Sequence, residues 1–163
     1  MARFLPVLQV SARLLRSPQP DFEDLIRLKE QGLKAVIDLR EVAVESEFFA
    51  RQCGLNYLHL PVVDWELPSP EQVSQFLDFL ENDLNCPALV HCAAGVGRTG
   101  TFVACYRIAN GMAVEEAVRL SNSESPLVGV IMNMPQQEFV RKYQREPHKM
   151  SLHILVTGSA GFI

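Results

Sequence analysis

The sequence predicts an α/β fold with a central, mostly parallel sheet of four to five strands flanked by helices. Short apolar segments rich in β-branched residues alternate along the chain with longer amphipathic segments. The apolar segments show little polar alternation, as expected for strands that are buried on both faces of a parallel sheet. Three helical patterns follow the last of these segments, so helices should cover at least one face of the sheet.

Four apolar segments indicate the strands. Each is short, rich in strand-forming residues and flanked by residues that favour turns or helix starts. The predicted strands lie at 4–10, 33–39, 55–63 and 87–91.

Six segments carry apolar residues at helical spacing and predict helices. They lie at 17–32, 43–52, 70–84, 99–110, 114–122 and 135–146. Local signals mark some of their ends. Asp21 is a candidate N-cap, and Ser69 is another, with Pro70 at the first helical position. Gly32 is expected to end the first helix.

The composition is that of a folded, mildly acidic protein. The 163 residues carry a net charge of −4 at pH 7, which argues against a basic surface for nucleic acid or anionic lipid. The sequence contains no secretory segment and no apolar run long enough to span a membrane. The four cysteines lack metal-ligand spacing. We therefore expect a cytoplasmic protein with reduced thiols, no metal or cofactor, and neither nucleic acid nor membrane as a partner.

Residues 91–100, HCAAGVGRTG, fit two phosphate-binding patterns at once. Gly95, Gly97 and Gly100 form G-x-G-x-x-G, which is typical of dinucleotide-binding folds when a second strand ends about 20 residues later. At that distance this chain predicts a helix instead, and a lysine of the nucleoside-triphosphate type is absent from 86–110. We therefore expect no nucleotide to bind here.

The same stretch contains C-x5-R, formed by Cys92 and Arg98. A loop before a helix directs backbone N–H groups and the helix dipole towards one point, where they stabilise a thiolate or a phosphoryl group. Arg98 would bind two phosphoryl oxygens, and glycines let the backbone curl around them. The predicted phosphate-binding loop consists of Ala93, Ala94, Gly95, Val96, Gly97 and Arg98.

Two neighbouring side chains complete the predicted catalytic group. Thr99 could donate a hydroxyl hydrogen bond to the sulfur of Cys92 and help it to leave. His91 could hold the loop through its ring nitrogens. The catalytic candidates from this segment are therefore Cys92, Arg98, Thr99 and His91.

The segment VHCAAGVGRTGTF resembles the signature H-C-x-x-G-x-x-R-[ST] of the cysteine-dependent protein tyrosine phosphatase superfamily. The spacing of Asp, Pro-Ser and Gln in residues 64–72 resembles that of the small dual-specificity members, and the resemblance covers about residues 10–145. It implies a phosphatase-like fold. It also implies a phosphoprotein phosphatase, of tyrosine or dual specificity, that forms a cysteinyl-phosphate intermediate without a cofactor.

The resemblance further implies a general acid on a loop that precedes the cysteine. Asp64 matches this position, 28 residues before Cys92, and Glu66 is the alternative. In many members a late Q-T-x-x-Q segment holds the hydrolytic water. Residues 132–136 here read MNMPQ, so Gln136 is the matching candidate for positioning that water.

The substrate class stays open at this point. The loop lacks the lysines of superfamily members that act on highly phosphorylated inositol lipids, and the acidic pI of about 5.6 speaks against extended RNA contacts. A phosphorylated protein or peptide is therefore the expected substrate. A non-protein substrate (an RNA 5′-phosphate or a phosphoinositide) and a non-catalytic phospho-residue reader remain alternatives.

Several other polar and thiol residues have weaker signals. Cys53, Cys86 and Cys105 are expected to be packing residues. Arg40 and Glu41 follow a predicted strand on the side where α/β sites form, so they could contact substrate or orient the arginine of the loop.

Residues 1–147 are predicted to form the phosphatase domain, and 148–163 a separate tail. The tail segment HILVTGSAGFI resembles the first strand and turn of an extended short-chain dehydrogenase or epimerase. One strand and half a turn cannot hold a dinucleotide, so we expect no NAD binding. A cut fusion protein, a crossed gene boundary and an accidental match remain open.

Overall fold

The computed structural model of the protein describes residues 4–143. The predicted tail at 148–163 and the predicted domain boundary after residue 147 lie outside these residues. The described part contains a single five-stranded sheet. Its strands are β1 (Leu8–Gln9), β2 (Leu14–Ser17), β3 (Ala35–Asp38), β4 (Asn56–His59) and β5 (Ala88–His91).

The sheet is mostly parallel. The strand order is β1-β2-β5-β3-β4, and the pairs β2–β5, β5–β3 and β3–β4 are parallel. All four residues of β3 and of β5 are buried, as expected where helices cover both faces. The predicted α/β class with a mostly parallel sheet is therefore confirmed.

The prediction for the first strand was wrong in its extent. Within 4–10 the structure has the two-residue strand β1, which turns back and pairs with β2 in antiparallel register. The sequence prediction missed β2, which lies next to the central strand β5. Arg16 is the reason, because a charged residue in a short apolar segment does not fit the pattern of a buried strand.

The helices lie close to their predicted positions. Asp21 and Asp24 form a reciprocal capping box at the start of the first helix, and Ser69 forms another with Gln72 ahead of Pro70. The structure also has a 3₁₀ turn at Asp83–Asn85. The helices are α1 (Phe22–Glu30), α2 (Ser46–Gln52), α3 (Pro70–Glu81), α4 (Gly97–Ala109), α5 (Val114–Ser123) and α6 (Met134–Tyr143).

Two apolar clusters fill the space on either side of the sheet. The larger joins one face of the sheet to α3, α4, α5 and α6, and the smaller joins the other face to α1 and α2. Helix α4 is buried over most of its length. No helix within 4–143 combines the length and the apolar character needed to cross a bilayer.

This packing places three segments together at one edge of the sheet. The parallel strands β5, β3 and β4 all end at this edge, and their connections to the following helices lie there. The Cys92 loop follows β5, Asp38 ends β3, and the loop with Asp64 follows β4.

Candidate active site

Cys92 lies between β5 and α4, with its side chain almost fully buried. Its Sγ accepts hydrogen bonds from the backbone N–H of Gly95 at 3.2 Å and from the hydroxyl of Thr99 at 3.1 Å. Both donors stabilise negative charge on sulfur. Thr99 thus lies where it can assist a sulfur leaving group.

The loop between Cys92 and α4 curls so tightly that one position requires glycine. Gly95 has φ of +78°, and a Cβ there would lie 2.7 Å from the carbonyl oxygen of Ser17. Two residues further along the same segment, the backbone N–H of Gln19 donates a hydrogen bond to the carbonyl of Ala93 at 3.0 Å. The loop is therefore held against the segment that follows β2.

The N-terminus of α4 points into this loop. No side chain in the described range caps it, and its first turn contains no acidic residue. Its first N–H groups therefore lack intrahelical acceptors, and with the helix dipole they favour an anion at this point. A Cβ on Gly97 would lie 2.8 Å from the amide oxygen of Gln136, so the loop also approaches α6 closely.

Arg98 is buried beside the loop with an incomplete set of hydrogen bonds. One terminal nitrogen donates to the carbonyl of Val62 at 2.9 Å, and the other lies 3.4 Å from Oδ1 of Asp64. Its Nε has no hydrogen-bond partner among residues 4–143. A buried unpaired donor costs about 1–3 kcal/mol. A bound oxyanion would satisfy it, so this guanidinium is suited to phosphate.

Asp64 projects from the loop after β4, with 60% of its side chain exposed. The next residue, Trp65, has φ of +70°, a left-handed conformation that is unfavourable for a bulky residue. The carbonyl of Trp65 accepts from Nδ2 of Asn133 at 2.9 Å, and that of Glu66 accepts from Nε2 of Gln136 at 3.4 Å. The start of α6 therefore holds the Asp64 loop.

Gln136 itself is buried and hydrogen bonded. Its amide oxygen accepts from the backbone N–H of Asn133 at 3.0 Å, and Asn133 Oδ1 accepts from the backbone N–H of Gln136 at 2.9 Å. This reciprocal pair caps α6. Its role in positioning water stays a prediction, although its side chain lies against the start of α4.

His91, at the end of β5, contacts the backbone at the start of the Cys92 loop. Its Nδ1 lies 3.0 Å from the carbonyl oxygen of Cys92, and its Nε2 lies 3.9 Å from Oδ2 of Asp38. Burial lowers the pKa of His91 below its ordinary value and outweighs the attraction of Asp38. The ring is therefore expected to be neutral at pH 7, with the proton on Nδ1, because a carbonyl only accepts.

Arg40 binds the carboxylate that ends β3, and its contact with substrate stays a prediction. Its guanidinium donates to Asp38 Oδ1 at 3.1 Å and Oδ2 at 2.9 Å, and also to the hydroxyl of Ser46. Burial raises the pKa of Asp38, but the hydrogen bonds and charge of Arg40, together with His91 once its ring is protonated at low pH, lower that pKa below its usual range. Arg40 therefore holds the carboxylate of Asp38 in place, next to His91 on the neighbouring strand.

The other cysteines lie in different surroundings. Burial raises the pKa of the thiols of Cys53, Cys86 and Cys105. The Cys86 thiol donates to the carbonyl of Leu80 at 3.2 Å. All three are free, which is compatible with packing roles. In the described range no cluster of three His, Cys, Asp or Glu side chains could hold a metal.

Sequence reasoning missed two residues that reach this site from other elements. Arg16 of β2 donates to the carbonyl of Gly95, and Asn133 holds the Asp64 loop as described above. For Arg16 the available signal was an arginine within the apolar run of residues 14–17. For Asn133 it was an N-cap residue three positions before a glutamine.

The arrangement of thiol, anion-binding loop and arginine agrees with comparisons to known proteins. Residues 7–142 match the family PTP-NADK, described as DSP-PTPase phosphatase fused to NAD+ kinase. The chain belongs to this family. It is thereby a member of the cysteine-based, dual-specificity type of phosphatase superfamily, as the sequence motif predicted.

Individual relatives cover different shares of the chain. Human dual specificity protein phosphatase CDC14A is 38% identical over 78 residues, which are 48% of this chain and 13% of that protein. The phosphatidylglycerophosphate phosphatase PTPMT2 of Arabidopsis thaliana is 28% identical over 162 residues, 95% of this chain and 70% of that protein. The chain spans less than a quarter of the CDC14 relatives that it matches.

A solved structure supports the fold. The crystal structure of Tk-PTP in the active form superposes with a TM-score of 0.76 at 24% identity. The match covers 86% of this chain and 97% of that one. The architecture of the described residues is therefore that of a known phosphatase fold.

Proposed function

We propose that this chain hydrolyses phosphate monoesters of phosphorylated proteins through a cysteinyl-phosphate intermediate. One arrangement carries the proposal: Cys92 Sγ accepts two hydrogen bonds at the start of α4, and Arg98, in the first turn of that helix, has a buried Nε without a hydrogen-bond partner among residues 4–143. Thiolate, backbone donors and arginine are the groups that a transferring phosphoryl group requires. Membership of the family supports the same chemistry.

In the first step the sulfur of Cys92 attacks phosphorus. The S–P bond forms while the bond from phosphorus to the ester oxygen breaks. Asp64 donates a proton to the leaving oxygen, so the product leaves as a neutral alcohol or phenol. Arg98 and the backbone N–H groups of residues 93–98 stabilise the charge on the three equatorial oxygens.

In the second step water replaces the sulfur. The Asp64 carboxylate accepts a proton from the water as its oxygen attacks phosphorus, and the S–P bond breaks. The hydroxyl of Thr99, 3.1 Å from Sγ, stabilises the departing thiolate. Gln136 is proposed to orient this water. Inorganic phosphate leaves and the enzyme returns to its starting state.

The surroundings of Asp64 support a protein substrate. Val63, Trp65 and Met134 are exposed apolar side chains on the Asp64 loop and at the start of α6. Such side chains can pack against the residues that flank a phosphorylated side chain.

The end of the family match at residue 142 supports placing the phosphatase domain within 1–147.

A lipid phosphate is the second candidate substrate. The observation that favours it is the match to the phosphatidylglycerophosphate phosphatase PTPMT2, which extends over 95% of the chain. The same apolar side chains around Asp64 would then contact acyl or glycerol carbons.

Phosphate release from three substrate types tests these proposals. They are a generic aryl phosphate, phosphotyrosine and phosphoserine peptides, and phosphatidylglycerophosphate in mixed micelles. We expect the full chain to release phosphate from the aryl ester and from peptides faster than from the lipid. The reverse order would favour the lipid candidate. Peptide binding without release of phosphate from any substrate would favour a phospho-residue reader.

The variant Cys92→Ser tests the intermediate. It should bind phosphopeptide but release no phosphate, because serine is not ionised at neutral pH. Cys53→Ser is the matched control and should retain activity, since Cys53 lies on the far side of the sheet in the smaller apolar cluster. Mass spectrometry after rapid acid quenching should find phosphate on the peptide with Cys92. Retained activity in Cys92→Ser would refute the mechanism.

A further inference from the structure

A buried arginine behind the phosphate-binding loop is left unused by the mechanism above. Arg16 lies on β2 with 2% of its surface exposed. One terminal nitrogen donates to the carbonyl of Gly95 at 2.9 Å, and the other donates to the carbonyl of Ser121 at 2.9 Å. Arg16 therefore connects the loop to the end of α5.

A carboxylate pairs with this arginine. Glu124, at the end of α5, accepts from Arg16 at 3.4 Å and from both terminal nitrogens of Arg107 at 2.7 and 2.6 Å. Burial lowers the pKa of Arg16, and Glu124 opposes that shift more strongly than Arg107 adds to it. The three side chains together carry one net positive charge. That charge lies next to the loop, where it would stabilise a thiolate at Cys92.

The bond to Gly95 determines how the loop presents its backbone. The carbonyl of Gly95 accepts from Arg16, whereas the N–H of Gly95 donates to Cys92 Sγ. In a trans peptide the C=O and the following N–H point in opposite directions. An outward carbonyl at Gly95 therefore directs the N–H of Val96 towards the side of the loop where phosphate would bind.

The Gly95–Val96 peptide could also adopt a second orientation, so a contact from outside the loop is needed to stabilise the observed one. Glycine can adopt many backbone conformations, and its φ of +78° is one that other residues disfavour. A rotation of the Gly95–Val96 peptide would turn its carbonyl oxygen inward, towards a phosphoryl group, and its N–H outward. One donor of the anion site would then become a repulsive acceptor.

We infer that Arg16 is a positioning residue: its guanidinium holds the Gly95 carbonyl outward and so keeps the Val96 N–H in the anion-binding loop. The inference rests on the proposed phosphate chemistry of that loop. It assigns Arg16 a role in anion affinity and in the reactivity of Cys92, beyond its contribution to stability.

Arg107 offers a matched control. It is also buried, it binds the same Glu124, and it contacts no residue of the Cys92 loop in the hydrogen bonds of the described chain. Removing either arginine disturbs the same carboxylate, that of Glu124. A role that is merely structural therefore predicts equal effects of Arg16→Met and Arg107→Met.

The test uses the full chain and two readouts that require no turnover. Tungstate affinity, measured by calorimetry, reports the anion site, and the rate of alkylation of Cys92 by iodoacetate at pH 6 reports the thiolate. We expect Arg16→Met to weaken tungstate binding about tenfold or more and to slow alkylation. Arg107→Met should lower the melting temperature to a similar degree with tungstate affinity close to wild type.

Equal losses of affinity in the two variants, or unchanged affinity in a folded Arg16→Met, would overturn the inference. If Arg16→Met does not fold, Arg16→Lys and Arg107→Lys provide the same comparison, since lysine retains charge but not the two-nitrogen reach of arginine. Differences that persist in a chain without hydrolytic activity would refute the proposed function alone. A wild-type chain that binds no tungstate would refute both.

Discussion

Two carboxylates lie two residues apart on the loop after β4, and their contacts differ. Asp64 Oδ1 lies 3.4 Å from Arg98, whereas Glu66 joins the site through its backbone carbonyl, which accepts from Gln136. A general acid has to reach the leaving oxygen of an ester whose phosphate is bound by the arginine. Asp64 is therefore the better placed of the two.

The variant Asp64→Asn tests which of the two carboxylates, Asp64 or Glu66, is the general acid. Asparagine keeps the size of the side chain but cannot give up or accept the catalytic proton, so kcat should fall by about 10²-fold or more. The loss should be larger for alkyl phosphates than for esters of acidic phenols, since acidic phenols leave without protonation. The decline in kcat at basic pH, where a general acid loses its proton, should disappear. Steady-state kinetics across the pH range measures both effects.

Glu66→Gln is the matched control for this experiment. It removes a carboxylate from the same loop and preserves the backbone contact with Gln136. Its pH profile should follow that of the wild type. If instead Glu66→Gln loses the basic limb and Asp64→Asn keeps it, the general acid is Glu66.

At the scale of elements, the first turn of α6 determines the position of the Asp64 loop. Asn133 has two separate functions there: its Oδ1 caps α6 through the N–H of Gln136, and its Nδ2 donates to the carbonyl of Trp65. The left-handed backbone of Trp65 makes the second contact important, because an unfavourable conformation persists only where its surroundings hold it.

Asn133→Ser should separate these two functions. Serine still caps a helix through its hydroxyl, but it has no amide to donate to Trp65. We expect the melting temperature to change little. We expect kcat for alkyl phosphates to fall about fivefold, which corresponds to one hydrogen bond of about 1 kcal/mol. The kinetics of an ester with an acidic phenol, which needs little protonation, should stay close to wild type.

Asn133→Ala serves as the comparison, since it removes both functions. It should lower the melting temperature as well as kcat. If Asn133→Ser retains wild-type kcat on alkyl phosphates, the contact with Trp65 does not position the general acid.

The elements differ in how far the sequence could predict them. The Cys92 loop was predictable because its donors, nucleophile and arginine lie within a few consecutive residues, and the caps at Asp21 and Ser69 are equally local. Strand β2 was missed because Arg16 is buried through partners on α5 and on the loop, more than 70 residues away. A pattern of neighbouring residues carries no record of such partners.

At the scale of the whole molecule, two groups of buried and partly buried charged and polar side chains lie next to the loop. Arg16, Glu124 and Arg107 form one group, and Arg40, Asp38 and His91 form the other. The loop is therefore held by groups whose burial depends on the complete fold. This arrangement couples the geometry of the anion site to global stability, and it makes that stability depend on pH.

The sign of the pH dependence follows from His91. Burial lowers its pKa in the folded chain, whereas the unfolded chain retains an ordinary histidine pKa of about 6.5. Below about pH 6.5 the unfolded state therefore binds more protons than the folded state, and stability falls with falling pH. The lowered pKa of Asp38 affects stability in a different, more acidic pH range. Its contribution is present above the ordinary aspartate value of about 3.9 and is lost as the pH falls through the lower folded value.

His91→Asn should reduce this pH dependence. The amide of asparagine can donate to the Cys92 carbonyl as Nδ1 does, but it does not titrate. The wild-type free energy of unfolding should fall between pH 6.5 and 5.5, with His91 contributing at most about 1.4 kcal/mol per pH unit, and the variant should lose that part of the slope. Urea unfolding at several pH values measures the slope. Val90→Ala, a cavity in the same strand, should lower stability at every pH and keep the wild-type slope. An unchanged slope in His91→Asn would show that His91 has the same pKa in the folded and unfolded chains, and a steeper slope would show that pairing of Nε2 with Asp38, 3.9 Å away, raises that pKa; either result contradicts a buried neutral ring.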